Sequence, residues 1–257
     1  MEYEFLNQQL KQDEEYWFPY HYVGQFNKNN FQHYFLDTWA INYVSTIEFL
    51  LNKIDTDPGL RIVDIGCGDG RFSRELSIAN PSKIVVGIDY SERAVKLAQV
   101  MNCDIANLTF KRLDITNEIY PDVFDIAVLM EVFEHIPLDK AEEFMRAVHG
   151  LLKRGGILHL TVPHENKPIE YKHFQHFSAN KIISYINPYF EIEEVVPFEK
   201  ISRLRILILK ILSNGLFVLS NQRLLSLIYR FYKKIYFFVH QKKNVNVYML
   251  KLLQNRC

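Results

Sequence analysis

The chain has 257 residues, 48% of them apolar and 23% charged, which is the composition of a globular protein with a full core and excludes a disordered, collagen-like or fibrous chain. Its formal net charge of +0 conceals a split, because residues 200–257 hold twelve Lys or Arg and no acid, leaving 18 basic and 30 acidic residues in 1–199. Three scattered cysteines (Cys67, Cys103, Cys257) exclude a disulfide framework and a Cys-x-x-Cys zinc site, and the acidic start Met1-Glu2-Tyr3-Glu4 lacks the layout of a signal peptide, so a reducing, cytoplasmic setting is expected.

Residues 1–29 are polar and aromatic-rich, with the dense run Tyr16-Trp17-Phe18-Pro19-Tyr20-His21-Tyr22. Over 30–53 apolar residues recur at three- and four-residue spacing, which predicts an amphipathic helix, and Asp57-Pro58-Gly59 ends it. Short β-branched runs then predict strands at 61–65, 84–88, 108–113, 124–130 and 157–162. Helical stretches separate them at 71–79, 92–101 and 138–152. A helix over 178–186, a strand over 190–196 and a last strand over 245–252 follow. Near-continuous apolar strands alternating with helices predict a parallel sheet covered on both faces. Between the last two strands lies basic, apolar, helix-like chain. Its longest uncharged apolar stretch, 211–222, has 12 residues, too few for a helix that must span a bilayer. The expected architecture is a Rossmann-like, doubly wound, seven-stranded α/β domain over 57–257. A helical N-terminal cap (1–56) precedes it, and a basic amphipathic helical insertion (201–243) comes before the last strand.

The first strand runs into Val63-Asp64-Ile65-Gly66-Cys67-Gly68-Asp69-Gly70 and a helix. Such a turn lets the backbone approach a ligand closely, and the helix directs free N–H groups to the same place. A dinucleotide loop would need glycine where Arg71 stands, and a P-loop would need Gly-Lys-Ser/Thr. Asp64, two residues before the first glycine, would repel a pyrophosphate but suits an ammonium-bearing ligand. Asp89 ends the second strand, where a carboxylate accepts bonds from ribose hydroxyls. Asp114 ends the third strand and Glu131 the fourth. Four acids thus stand where open α/β sheets bind ligands.

This set resembles the class I S-adenosylmethionine-dependent methyltransferases, over roughly residues 60–197. The resemblance implies that Asp64, Gly66 and Gly68 hold the methionine part of the cofactor. It puts Asp89 at the ribose hydroxyls, Tyr90 beside the adenine, Asp114 and Ile115 at the adenine edge, and Glu131 near the sulfonium. Cys67, with no histidine in sequence range, reads as the small residue of the loop rather than a nucleophile.

Methyl transfer asks the protein for alignment and, for some acceptors, a base. Glu131-Val132-Phe133-Glu134-His135-Ile136-Pro137 is similar to a stretch of ubiquinone-pathway O-methyltransferases, and His135 is the candidate general base because an imidazole titrates near neutrality. The competing role for His135 is that of a helix N-cap bonded to Glu134. A second cluster, His173-Phe174-Gln175-His176-Phe177-Ser178, offers supporting histidines. It is similar to a stretch of small-RNA 2′-O-methyltransferases, a resemblance that implies a divalent metal on Glu131, Glu134, His135 and His173. The same spacing also occurs in metal-free relatives that modify glycans, which weighs against the metal. No Asn/Asp-Pro-Pro-Tyr motif follows strand four, so oxygen methylation of a small-molecule, glycan or lipid-linked acceptor is expected. The alternatives are a catalytically degenerate binding protein of this fold and an RNA 2′-O-methyltransferase with a metal site.

In the C-terminal insertion the basic residues alternate with Leu, Ile and Phe, unlike a phosphate groove, which argues against nucleic acid. Two basic amphipathic helices without acids fit an anionic membrane surface, here the inner face of a membrane, with a helical cap or a dimer interface as the competing roles. The aromatic run near the N-terminus (Trp17, Tyr20, His21, Tyr22) is expected to close over the acceptor.

Overall fold

A computed structural model describes residues 24–27, 30–33, 38–54, 57–169, 173–200, 202–212, 221–237 and 245–254. The aromatic run 16–22, Cys257 and residues 213–220 of the expected insertion lie outside them. A hairpin, β1 (Gly24–Asn27) and β2 (Asn30–His33), precedes helix α1 (Thr38–Lys53). The helix expected from residue 30 therefore starts at Thr38. Asn27 pairs with Asn30 in an antiparallel register, so the cross-strand ladder takes residues 30–33 as a strand where the apolar spacing alone suggested helix.

The alternation follows in the expected order: β3 (Arg61–Ile65), α2 (Arg71–Ala79), β4 (Ile84–Asp89), α3 (Glu92–Met101), β5 (Leu108–Arg112), β6 (Phe124–Met130), α4 (Ala141–Gly150) and β7 (Leu152–Pro163). The helix expected over 138–152 is shorter, opening as a 3₁₀ turn at Leu138–Lys140, and the strand expected from 157 starts at Leu152, which pairs with Phe124 of β6. Then come α5 (Ala179–Ile186), β8 (Phe190–Lys200), α6 (Arg203–Leu212), α7 (Gln222–Tyr232) with a π turn over Lys233–Phe237, and β9 (Val245–Gln254). Seven strands form one sheet in the order β5-β4-β3-β6-β7-β9-β8. The first five are mutually parallel, while β9 runs antiparallel between β7 and β8.

Burial on both faces explains the apolar strands. Along β3, Ile62 enters the core under α1 and α2, whereas Val63 and Ile65 enter the core under α4 and α5. Along β6, Ile126 and Val128 face the first core, Ala127 and Leu129 the second. β3 pairs with β4 on one side and β6 on the other, so the strand order reverses between β3 and β6. The carboxyl ends of those two strands open the crevice where such sheets bind ligands. Because β8 is antiparallel to β9 and β9 to β7, β8 points the same way as the parallel strands. The helical insertion leaves from the end of β8, at the crevice edge of the sheet.

Candidate active site

The glycine loop is held by the neighbouring strand. The N–H groups of Gly66 and Cys67 both donate to the Ile88 carbonyl, at 2.7 and 3.0 Å. Gly66 has φ 75°, and a Cβ there would stand 2.6 Å from Val132 Cγ2, so the loops after β3 and β6 touch at the point where the strand order reverses. Gly68 has φ 55° with nothing within 4 Å of where a Cβ would be, leaving open space beside that turn of the loop. Cys67 is buried, and burial pushes its thiol well above the usual range, in keeping with a structural residue.

Asp89 joins the loop to the next helix. Its Oδ2 accepts the Gly68 N–H at 2.9 Å and its Oδ1 the Ser91 N–H at 2.8 Å, so both oxygens are oriented by backbone. Tyr90 beside it is exposed. Asp64 is buried, and the Ser73 hydroxyl of α2 donates to it at 2.5 Å. Burial pushes the Asp64 carboxyl up to about 7, the Ser73 bond partly offsetting this and the Asp89 charge adding to it. Asp114 Oδ1 accepts from the Thr116 hydroxyl and N–H at 2.6 and 3.0 Å, and its Oδ2 from Asn117 at 2.8 Å, which holds its carboxyl below the usual range. Ile115 packs against the larger core. Glu131 has φ 56°, a left-handed backbone uncommon outside glycine, and its N–H donates to Thr161 Oγ1 on β7 at 3.0 Å.

On the acceptor side, a short 3₁₀ turn, Phe133–His135, follows β6 and buries Glu134 completely. The Glu134 carbonyl accepts the Phe174 N–H at 2.9 Å, which ties this turn to the segment after β7. The rings of His135 and His173 meet edge to face at 4.7 Å, and His173 Nδ1 lies 2.8 Å from His176 Nε2. His176 Nδ1 lies 2.8 Å from the Lys167 carbonyl, which only accepts, so a neutral His176 carries its proton on Nδ1 and takes one from His173 Nδ1–H. A neutral His173 then keeps a lone pair on Nε2.

Donor atoms of Glu134, His135 and His173 all lie within 4.8 Å of one another. Of the four residues that the small-RNA resemblance implies as metal ligands, the structure gathers these three and leaves Glu131, on its left-handed turn against β7, outside the group. One carboxylate and two imidazoles suit a borderline divalent ion, and the His176–Lys167 chain supplies the outer hydrogen bond that fixes a ligating imidazole.

Two residues beyond the sequence reading belong to the site. Ser73, on the buried face of α2, holds Asp64. Tyr43, on α1, is half-buried, and burial together with the Asp69 and Asp64 charges raises its hydroxyl well above the usual range. Ser73 lay in reach of sequence reasoning, on the third residue of the helix the glycine loop opens. Tyr43 gave no signal beyond a place in an amphipathic helix.

The part of the chain that carries the glycine loop and the strand-end carboxylates is similar to known methyltransferase domains. Residues 63–158 match the model of a methyltransferase domain family. The chain is 32% identical over 124 residues to a ubiquinone biosynthesis O-methyltransferase of Leptothrix cholodnii, covering 47% of this chain and 50% of that protein. It is 34% identical over 112 residues to the protein of that description from Ralstonia nicotianae, covering 42% of this chain and 45% of that one. The chain thus spans about half the length of the curated relatives it matches. Among solved structures the N-methyltransferase NodS from Bradyrhizobium japonicum WM9 superposes with a TM-score of 0.57 at 14% identity, covering 86% of this chain and 100% of that chain, and it is also solved with S-adenosyl-L-homocysteine. The [4+2]-cyclase SpnF superposes at 0.58 with 19% identity, covering 82% and 81%.

Proposed function

We propose that the chain is an S-adenosylmethionine-dependent methyltransferase that methylates an oxygen of a small-molecule, glycan or lipid-linked acceptor, acting in the cytoplasm and at an anionic membrane face. The observation that carries this reading is Asp89. Each of its oxygens accepts one backbone N–H and keeps a lone pair, so the carboxylate is oriented to take two vicinal ribose hydroxyls beside the glycine loop. Gly66, Cys67 and Gly68 line the methionine part with Asp64 beneath them. Tyr90, Asp114 and Ile115 stand on the adenine side, and Glu131 stands near the reacting end.

When bound, S-adenosylmethionine supplies an electrophilic methyl group on a sulfonium. The protein aligns the acceptor oxygen opposite the breaking C–S bond. His135 takes the acceptor proton as the new C–O bond forms, and the edge-on His173 ring limits how His135 turns. Oxygen methylation draws support from the Glu134-His135 turn and from the description of the relatives. Calorimetric titration with S-adenosyl-L-homocysteine tests the reading; no heat of binding at millimolar ligand refutes it.

The Glu134–His135–His173 group favours a second reading, in which these three side chains would hold a divalent ion whose chemistry would be Lewis-acid polarisation of the acceptor oxygen. Titration of the chelator-treated protein with Mn²⁺ or Zn²⁺ separates the two readings without an activity assay. Tight binding lost in His173→Ala supports the metal, and its absence leaves His135 as the base.

A further inference from the structure

The basic residues of the insertion divide by what they touch. Arg205 and Lys233 fasten it to the domain. Arg205 is buried and pairs with buried Glu199, and its Nε donates to Tyr232 Oη at 2.7 Å. That hydroxyl donates to Asn42 Oδ1 at 2.8 Å, and Asn42 Nδ2 returns to Glu199 at 3.0 Å, closing a ring of four side chains across β8, α6, α7 and α1. Lys233 pairs with Glu48 of α1. The insertion is therefore docked as a preformed unit with one face spent on the domain.

Its other faces are in water. On α6, Leu204, Leu207 and Ile211 are exposed in one stripe at three- and four-residue spacing, next to exposed Arg203 and Lys210. On α7 the order around the helix is plain. Leu225, Ile228 and Tyr232 turn inward, Leu224, Leu227 and Phe231 form an exposed apolar stripe, and exposed Arg223, Arg230 and Lys234 form the next stripe. None of these five cations on the two helices pairs with a carboxylate among the described residues.

From this arrangement we propose that the exposed face of α6 and α7 rests on an anionic lipid bilayer, the apolar stripes entering the acyl boundary and the basic stripes meeting the lipid head groups. Charge complementarity commits the face to this occupant. A second copy would bring the same cations against themselves, and a nucleic acid would leave the leucines in water. The insertion leaves the sheet at the carboxyl ends of the strands, the edge that carries Asp89, Glu131 and His135. The surface stands independently of the proposed methyl transfer. Joined to that reading, it assigns the acceptor to molecules presented by a membrane.

Flotation of the full chain with vesicles of phosphatidylcholine plus phosphatidylglycerol, against phosphatidylcholine alone, tests the surface at low and high salt. We expect the protein to float with the anionic vesicles and the triple variant Arg223→Glu/Arg230→Glu/Lys234→Glu to partition at least about a hundredfold less, at roughly a fivefold loss per cation removed. Leu227→Ser/Phe231→Ser is expected to lose binding while keeping its fold, read by S-adenosyl-L-homocysteine titration and melting temperature. Protein that stays at the bottom of the gradient overturns the proposal. So does charge-reversed protein that floats as well as the parent, or a dimer in light scattering that the Leu227/Phe231 variant disperses. Flotation without S-adenosyl-L-homocysteine binding would leave the surface standing and sink the methyltransferase reading alone.

Discussion

Replacing Asp89 isolates what the cofactor reading asks of one side chain. Its carboxylate holds the Gly68 and Ser91 N–H groups, and the cofactor reading asks it also to accept from two ribose hydroxyls. In Asp89→Asn the shape is kept, but one oxygen becomes an NH₂ that must face either a backbone N–H or a hydroxyl. The variant loses charge assistance to both hydroxyls and one acceptor outright. At about 1.5–3 kcal/mol for a hydrogen bond to a charged group, with part of the loss recovered by water, the binding cost is about 2–3 kcal/mol. That corresponds to roughly 30- to 150-fold weaker binding. Gly68 and Ser91 lie near the surface, so water replaces their lost partner and the fold survives. Titration calorimetry with S-adenosyl-L-homocysteine on parent and variant, with melting temperature as the control for folding, reads the effect. Binding within threefold of the parent at an unchanged melting temperature would show that Asp89 anchors the loop and does not meet the ribose.

Gly66→Ala forces a side chain into a left-handed position and onto Val132, and we expect a loss of about 2–4 kcal/mol in denaturant unfolding, of which Val132→Ala recovers only the overlap. Asp64 binds its proton more tightly when folded than unfolded, so its contribution is fully favourable below the unfolded pKa near 4 and is lost as pH rises to about 7. Asp64→Asn is therefore expected to gain stability relative to the parent across that window in pH-dependent melting, and a constant difference refutes this. His159, whose buried Nδ1 has no hydrogen-bond partner among the described residues, has the opposite behaviour. Burial lowers it to about 4, so its contribution is present above 6.5 and lost as pH falls toward 4, and His159→Leu should flatten acid unfolding in that range. Glu199→Gln leaves Arg205 buried beside a neutral group and is expected to cost about 3–5 kcal/mol in denaturant unfolding. Glu199→Gln with Arg205→Met should recover most of it, and equal losses would mean the pair is not buried in solution.

The parallel strands were legible because burial on both faces writes itself as unbroken apolar runs, and the turns between them carry Gly, Pro and Asp. The placing of the strand-end residues was legible for the same reason. Gly66, Asp89, Asp114 and Glu131 each close a strand, so sequence position nearly fixes their place in space. The paired strands Gly24–Asn27 and Asn30–His33 were not legible, because their aromatic and polar residues fit a helical period as well as a two-residue one. Nor was the insertion of β9 between β7 and β8, since nothing local distinguishes an antiparallel strand from a parallel one. The ring of Arg205, Glu199, Tyr232 and Asn42 joins residues up to 190 apart, and from the sequence Arg205 reads only as one more cation in a basic helix.

The acceptor side shows why the second half of such a site resists the sequence. His135 and His173 lie 38 residues apart, and what brings their rings together is a backbone bond from Phe174 to Glu134, which any residue types could make. What the side chains add is directional. The Lys167 carbonyl accepts only, so it sets the proton on His176, and His176 sets the proton on His173. The chain ends with a lone pair on His173 Nε2, 4.7 Å ring to ring from the proposed base. Replacing His176 by Phe removes that relay without touching His135 or Glu134. If the relay fixes His173, the variant changes the pH dependence of turnover, or of divalent-ion affinity, while S-adenosyl-L-homocysteine binding stays as in the parent. If both profiles are unmoved, His176 serves packing alone and the orientation of His173 comes from the backbone bond.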